Sequence, residues 1–319
     1  MLRRFLIFLS HSSRLRRIVT GWSIPRRLAA RFVAGDTLEA AVPVIKALNA
    51  RGLLATLDHL GEHVEDVAEA ERALDDYLAL IDAIEAGQLK AGISLKLTQL
   101  GLEIDPVACV DKLESVVRHA AERGVFVRID MEHSAVVDAT LETYRQLRQR
   151  GYHTLGLVIQ SYLYRSHDDT AAMLALGAPI RLVKGAYDEP PERAYPNKAE
   201  VDAAFDQIAR RMIEAALDQA QPAVSTDGRR PAFVALGTHD EARIEAAIQY
   251  AHSLDLPKPA LEIQLLHGIR AGLGDRLAGE GYPVRIYVPY GTEWYAYFMR
   301  RLAERPANLW FLLSNLFRR

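Results

Sequence analysis

The sequence predicts an α/β fold, a (β/α)8 TIM-type barrel carrying an N-terminal helical arm, and three observations carry that expectation. From residue 52 onward, short β-rich apolar runs that end in polar residues or glycine alternate with longer stretches of helical periodicity. The runs number eight, the count that closes such a barrel. The chain from residue 51 to 319 also exceeds the roughly 250 residues the fold requires.

The expected strands lie in GLLATLDHL (52–60), AGISLKLTQLG (91–101), VFVRIDME (125–132), LGLVIQSY (155–162), PIRLVKGAY (179–187), AFVALGTHD (232–240), LEIQLLHG (261–268) and PVRIYVPYG (283–291). Outer helices fill the gaps. DPVACVDKLESVVRHAAERG opens with Asp105 as N-cap and Pro106 behind it, and it stops at Gly124. EVDAAFDQIARRMIEAALDQA carries apolar residues every three to four positions. An open doubly wound sheet is the competing architecture, but its first strand leads into a glycine-rich dinucleotide loop, and here that strand ends in DHLGEH. The near match GLGDRL (272–277) lacks the third glycine and reads as a turn.

Residues 1–50 form the expected helical arm, and residues 51–319 the barrel with its C-terminal helix. The apolar run from Phe5 to Leu9 is shorter than the roughly 7–15 residues of a secretory signal. Leu2, Phe5, Leu6 and Leu9 fall at helical spacing with Arg3 and Arg4 between them, which suits either an ordinary packing helix or an arm lying on a membrane surface. No stretch reaches the roughly 20 apolar residues of a membrane span.

Lys plus Arg (39) nearly balance Asp plus Glu (41), so the overall field gives no reason to expect a nucleic-acid partner. The single cysteine, Cys109, rules out an internal disulfide and a cysteine metal cluster; it fits a cytoplasmic setting. No metal is expected, since His59 and His63 straddle Gly61 in a loop and HExxH is absent. A G-x-S-x-G nucleophile elbow is absent too.

Active sites of such barrels gather at the C-terminal mouths of the strands. Polar residues stand late in seven of the eight runs: Lys96, Asp130 and Glu132, Gln160, Arg181 and Lys184, Thr238 and His239, Gln264 and His267, and Tyr287; Glu62 follows the first run. Charge in a barrel mouth must be paired or must meet a ligand, because unpaired burial costs several kcal/mol, on the order of its desolvation penalty. Each residue has a plain structural use as well, such as a Lys96–Asp130 ion pair. Convergence from so many strands favours a site. Arginine suits a bidentate grip on carboxylate or phosphate. A lysine there also serves as a Schiff-base nucleophile in lyases and isomerases of small carboxylates, a second functional reading. A third is a barrel that binds an anionic metabolite without turnover.

The segments SLKLTQLGL, RIDMEHSAVVDATLETYR, LGLVIQSYLYR, IRLVKGAY, GTHDEA, LEIQLLHG and RIYVPYGTEWYAYFMRRLAERPAN together resemble the proline dehydrogenases, flavoenzyme barrels, in the standalone bacterial form that lacks an aldehyde dehydrogenase module. The resemblance implies FAD without a Rossmann motif and hydride transfer from C5 of L-proline to flavin N5, giving Δ1-pyrroline-5-carboxylate. It implies that Arg181 sits near the N5 edge, Gln160 at the pyrimidine end, and Lys184, Thr238 and His239 at the ribityl, phosphate or ribose part. Val183, Gly185, Ala186, Tyr187 and Gln264 match further cofactor-binding positions. The resemblance also implies that Arg300 and Arg301, within about one turn of Tyr297, together meet the substrate carboxylate while Tyr287 and Tyr297 cover the ring. A surface pair, with Arg301 bonded to Glu304, is the alternative for those two arginines. Lys96, Asp130 and Leu266 match other substrate-pocket positions, and Glu62 matches a gate that pairs with Arg300. The electron acceptor implied is a membrane quinone, which gives the N-terminal arm and NLWFLLSNLFRR a use in docking peripherally on the inner face of the cytoplasmic membrane. The chain departs from the long bifunctional enzymes of the family at Asp188, where those carry tryptophan, and in the loop DEPPERAYP that follows.

Overall fold

The fold is a closed barrel of eight parallel strands in sequential order, and the computed structural model describes residues 29–61, 64–295 and 297–299. The strands are β1 (Leu54–His59), β2 (Ala91–Leu95), β3 (Val127–Ile129), β4 (Leu155–Gln160), β5 (Ile180–Val183), β6 (Val234–Gly237), β7 (Leu261–Leu266) and β8 (Val284–Tyr290). Pairing of Leu54 to His59 with Arg285 to Tyr290 closes the ring.

Helix α1 (Leu38–Ala50) precedes β1, and Thr37 caps it by accepting from the Ala40 amide. Helices α2 (Val67–Ala86), α3 (Pro106–Glu122), α4 (Val137–Gln149), α5 (Ser166–Ala175), α6 (Lys198–Leu217), α7 (Glu241–Ser253) and α8 (Ala271–Gly279) follow β1 to β7 in turn. Asp105 caps α3 by accepting from the Val107 and Ala108 amides, Pro106 takes the first turn, and Gly124 beyond the end adopts φ +64°. Among the described residues no helix is long and apolar enough to cross a membrane.

Helices cover the sheet from outside, which is why the strands read as apolar runs. The interior is different. Hydrogen bonds from Arg181 to Ser94 and Gln264, and from Arg285 to Glu262, join β2, β5, β7 and β8 across the barrel. All five residues are less than a tenth exposed, so the barrel is filled in part by a satisfied polar network.

Several expected strands are shorter than their sequence runs. After Leu95 the backbone bonds to itself, with Gln99 N on Lys96 O and Leu102 N on Leu97 O; residues 97–100 form a 3-10 turn ended by Gly101 at φ +87°. Lys96, Asp130, Glu132, Lys184, Thr238, His239 and His267 therefore stand just past strand ends, on the mouth loops.

Helix α1 packs against both β1 and β8 and buries Ala41, Ile45 and Leu48 in the barrel's core. It thus fills the outer slot beside the closing strand pair. The chain after β8 takes another course: Trp294, Tyr295, Tyr297, Phe298 and Met299 are helical and form a second apolar cluster with Ala29, Phe32, Val33 and Leu60. Because Leu60 follows the end of β1 and Tyr297 lines the cavity described next, this cluster lies at the barrel mouth.

Candidate active site

A cavity of about 400 Å³ opens at the C-terminal ends of the strands, within the roughly 300–1,000 Å³ of small-molecule sites. Fifteen of the residues singled out in the sequence line it: Lys96, Asp130, Gln160, Arg181, Val183, Lys184, Gly185, Ala186, Tyr187, Thr238, His239, Gln264, Leu266, Tyr287 and Tyr297. Glu62, Arg300 and Arg301 lie outside the described residues. Glu132 is buried behind the wall, where its carboxylate accepts from the Thr98 amide and hydroxyl and its carbonyl accepts from Gln160 Nε2.

Arg181 is the best-anchored cation of the wall. Its Nε donates to Gln264 Oε1 at 2.5 Å, one terminal nitrogen to Asp130 Oδ1 at 2.8 Å and the other to Ser94 Oγ at 2.9 Å. The Tyr287 ring lies 5.3 Å from the guanidinium carbon, and its hydroxyl donates to Asp130 Oδ2 at 2.7 Å. Burial, together with the charges of Asp130 and Asp58, pushes the Tyr287 phenol well above its usual value of 10.0, so it stays a donor.

The plain structural alternative for Lys96, a pair with Asp130, gives way to a pair with Asp58. Lys96 Nζ lies 3.1 and 3.2 Å from the two oxygens of Asp58, which is 1% exposed. Burial raises the Asp58 carboxyl despite the charge of Lys96, and Asp130 adds to the rise. Asp58 was missed in the sequence because the first run reads as apolar; the signal was the alternation Thr56, Asp58, which sends both to one face. Met131, Val158 and Gly237, also on the wall, give no comparable signal.

At the opposite side Lys184 donates to Asp202 at 2.5 Å and Asp240 at 2.6 Å, and Lys198 joins the same two carboxylates. Burial alone would raise Asp240, but the hydrogen bonds and charges of Lys184 and Lys198 outweigh it and bring the carboxyl down to about 2. His239 Nε2 accepts from the Leu266 amide at 3.1 Å, which assigns the ring proton to Nδ1. Burial lowers the His267 imidazole, favouring its neutral form.

Both wall lysines are engaged by carboxylates, Lys96 by Asp58 and Lys184 by Asp202 and Asp240. A Schiff-base nucleophile needs a desolvated, neutral amine, so this arrangement does not support the lyase reading. The donor set suits a flat heteroaromatic cofactor instead. Gln160 spends its Nε2 on Glu132 O, which leaves its carbonyl oxygen to accept a ring N–H, and Arg181 supplies a fixed cation. Gly185 at φ +115° brings the backbone so close to Tyr162 that a Cβ would stand 2.2 Å from its ring, and this close seating draws the wall at Ala186 and Tyr187 in.

The comparisons agree with this geometry. Residues 41–313 match the family model described as "Proline dehydrogenase". The chain is 39% identical to proline dehydrogenase 1 of Bacillus subtilis (strain 168) over 319 residues, covering all of both chains. It is 38% identical to proline dehydrogenase of Deinococcus radiodurans over 293 residues, 91% of this chain and 90% of that one. Among solved structures, proline utilization A from Bdellovibrio bacteriovorus, inactivated by N-propargylglycine, superposes with a TM-score of 0.78 at 28% identity; the match takes in 88% of this chain and 33% of that longer one. With the family model spanning most of the chain and relatives aligned nearly end to end, the chain belongs to the proline dehydrogenase family.

Proposed function

We propose that this protein is an FAD-dependent L-proline dehydrogenase that forms Δ1-pyrroline-5-carboxylate, the first step of proline catabolism. The observation that carries the reading is the anchored triad Arg181, Asp130 and Tyr287 on the wall of a mouth cavity, in a chain of this family. The family is flavin-dependent, and we take the flavin to be FAD. Bound in the cavity, it supplies a two-electron acceptor for the hydride leaving C5 of proline.

The chain's own residues supply orientation and charge. Gln160 offers its carbonyl to the pyrimidine end and Arg181 its guanidinium to the N5 edge. Val183, Gly185, Ala186, Tyr187 and Gln264 line the ring, while Lys184, Thr238 and His239 meet the ribityl or phosphate part. Asp130, held by both Arg181 and Tyr287, keeps the two in one relative position. Tyr287, Tyr297 and Leu266 enclose the apolar proline ring beside the Lys96–Asp58 pair. Arg300 and Arg301 take the carboxylate, and Glu62 closes over it by pairing with Arg300.

The acceptor that reoxidises the flavin is taken to be a membrane quinone, reached by peripheral contact through the two ends of the chain, which lie outside the described residues. Pelleting with anionic liposomes that truncation of both ends leaves unchanged would remove that contact. The reaction itself is tested by the visible spectrum of the purified protein, before and after L-proline is added without oxygen. A flavin spectrum that bleaches is the expected result. A flavin that stays oxidised would exclude proline as substrate, and failure to bind FAD at all would overturn the cofactor.

A further inference from the structure

Beneath the cavity, a chain of hydrogen bonds runs from the barrel floor to Arg181. Arg285 on β8 donates from Nε and Nη2 to the two oxygens of Glu262 on β7, at 2.7 and 3.2 Å. Glu262 Oε1 also accepts from Gln264 Nε2 at 2.5 Å, and Gln264 Oε1 accepts from Arg181 Nε at 2.5 Å. Two-residue spacing on β7 puts Glu262 and Gln264 on one face, and Gln264 stands in register with Arg285. Glu262 is 0% exposed and is not part of the cavity wall.

The chain has a fixed polarity. Arg285 at one end and Arg181 at the other are donors only, while a primary amide has one donor end and one acceptor end. Only an acceptor at position 262 that serves Arg285 and the Gln264 NH2 group together leaves the amide carbonyl for Arg181. A carboxylate does this without ambiguity. A neutral amide at 262 offers its own NH2 to Gln264, and a flipped Gln264 then sets its NH2 against Arg181 Nε, donor against donor.

We propose that Glu262 is a positioning residue for Arg181: held by Arg285, its carboxylate orients the Gln264 amide and thereby fixes the guanidinium between Asp130 and Ser94. The inference rests on the reading that Arg181 faces the flavin. It extends the site two residues below its wall, to groups that touch neither cofactor nor substrate.

The test compares flavin-loaded wild type, Glu262→Gln, and the exchange variant E262Q/Q264E. In the exchange the end of the chain that meets Arg181 is restored: Arg285 meets an amide carbonyl, that amide donates to Glu at 264, and the new carboxylate accepts from Arg181, while the Ala232 amide, which donates to Glu262 Oε2 at 3.3 Å in the wild type, loses its acceptor. Glu262→Gln is expected to keep its flavin, shift the visible band and midpoint potential, and lower kcat by about tenfold with little change in KM, the cost of one misaligned charge-assisted bond. The exchange is expected to recover kcat to within about threefold of wild type while its melting temperature stays low, because Arg285 has lost its carboxylate. A Glu262→Gln variant that melts earlier but keeps spectrum, potential and kcat unchanged would overturn the proposal. So would an exchange that recovers no turnover, or loss of the fold in both variants, either of which assigns Glu262 to folding alone. Wild type is the control: if its flavin is not reduced by proline, the underlying reading fails instead.

Discussion

Lys96 and Asp58 form a buried ion pair across the β1–β2 edge of the barrel, Nζ lying 3.1 Å from Oδ1, with the two side chains 9% and 1% exposed. The pairing frees Asp130 to bond with Arg181 and Tyr287. Asp58 and Asp130 thus each have a cation of their own.

Asp58→Asn removes the counter-charge that Asp58 gives the buried Lys96. Breaking one side of a buried pair costs about 3–5 kcal/mol, more than the pair itself is worth against an apolar substitute. The urea midpoint of Asp58→Asn is therefore expected to fall sharply, and the double variant Asp58→Asn/Lys96→Met to regain part of the loss. A double variant whose loss equals the sum of the separate Asp58→Asn and Lys96→Met losses would show that the two side chains are not energetically coupled.

Asp240 makes acid stability a readout of the lysine cluster. Its carboxyl is depressed from 3.8 to about 2 in the folded chain, so the unfolded state binds the proton first as pH falls. The stabilisation is fully present above 3.8 and is lost as pH drops through about 2. Acid titration followed by circular dichroism is expected to give a shallower loss in that window for Asp240→Asn than for wild type. Superimposable acid limbs would mean that the Lys184 and Lys198 contacts are too mobile to hold the charge.

The carboxylate assignment has a kinetic consequence. If Arg300 holds the proline carboxylate as proposed, Arg300→Met removes a charge-assisted contact of about 1.5–3 kcal/mol, which is roughly tenfold to a hundredfold in the KM for proline. Flavin content is expected to stay at the wild-type level, measured by absorbance after gel filtration. An unchanged KM would remove Arg300 from the substrate site.

The barrel was legible because eight strands covered on both faces leave eight apolar runs, and because local signals such as Asp105, Pro106 and Gly124 mark a helix wherever it packs. Strand ends were less so. At Lys96 the choice between continuing the ladder and turning into the 3-10 segment is made by which backbone groups the neighbouring strand still offers. Side-chain partners inside the barrel were hardest. Lys96 has Asp58 in β1 on one side and Asp130 just past β3 on the other, and the register between neighbouring strands, which no local pattern encodes, decides between them. Arg285 and Glu262 stood within RIYVPYG and LEIQLLHG, yet nothing in one sequence marks a charged residue of a strand as floor rather than mouth. Their depth follows from register alone.

Gly268 ties the N-terminal arm to the mouth. It follows β7 at φ +74°, and a Cβ there would stand 1.8 Å from the Arg31 carbonyl oxygen and 2.8 Å from its carbon, both backbone atoms that cannot rotate away. Gly268→Ala must therefore unseat the segment around Arg31, whose neighbours Phe32 and Val33 share an apolar cluster with Trp294, Tyr297 and Phe298. Tyr297 also lines the cavity, so the disturbance reaches the part of the wall proposed to enclose the substrate. Left-handed strain alone, about 1–2 kcal/mol, acts at Gly52→Ala as well, where φ is +78° but a Cβ meets nothing within 4 Å. Both variants are expected to lose stability, while only Gly268→Ala raises the KM for proline, with bound flavin unchanged in each. Equal KM values in the two would mean that the arm braces the fold without shaping the substrate pocket.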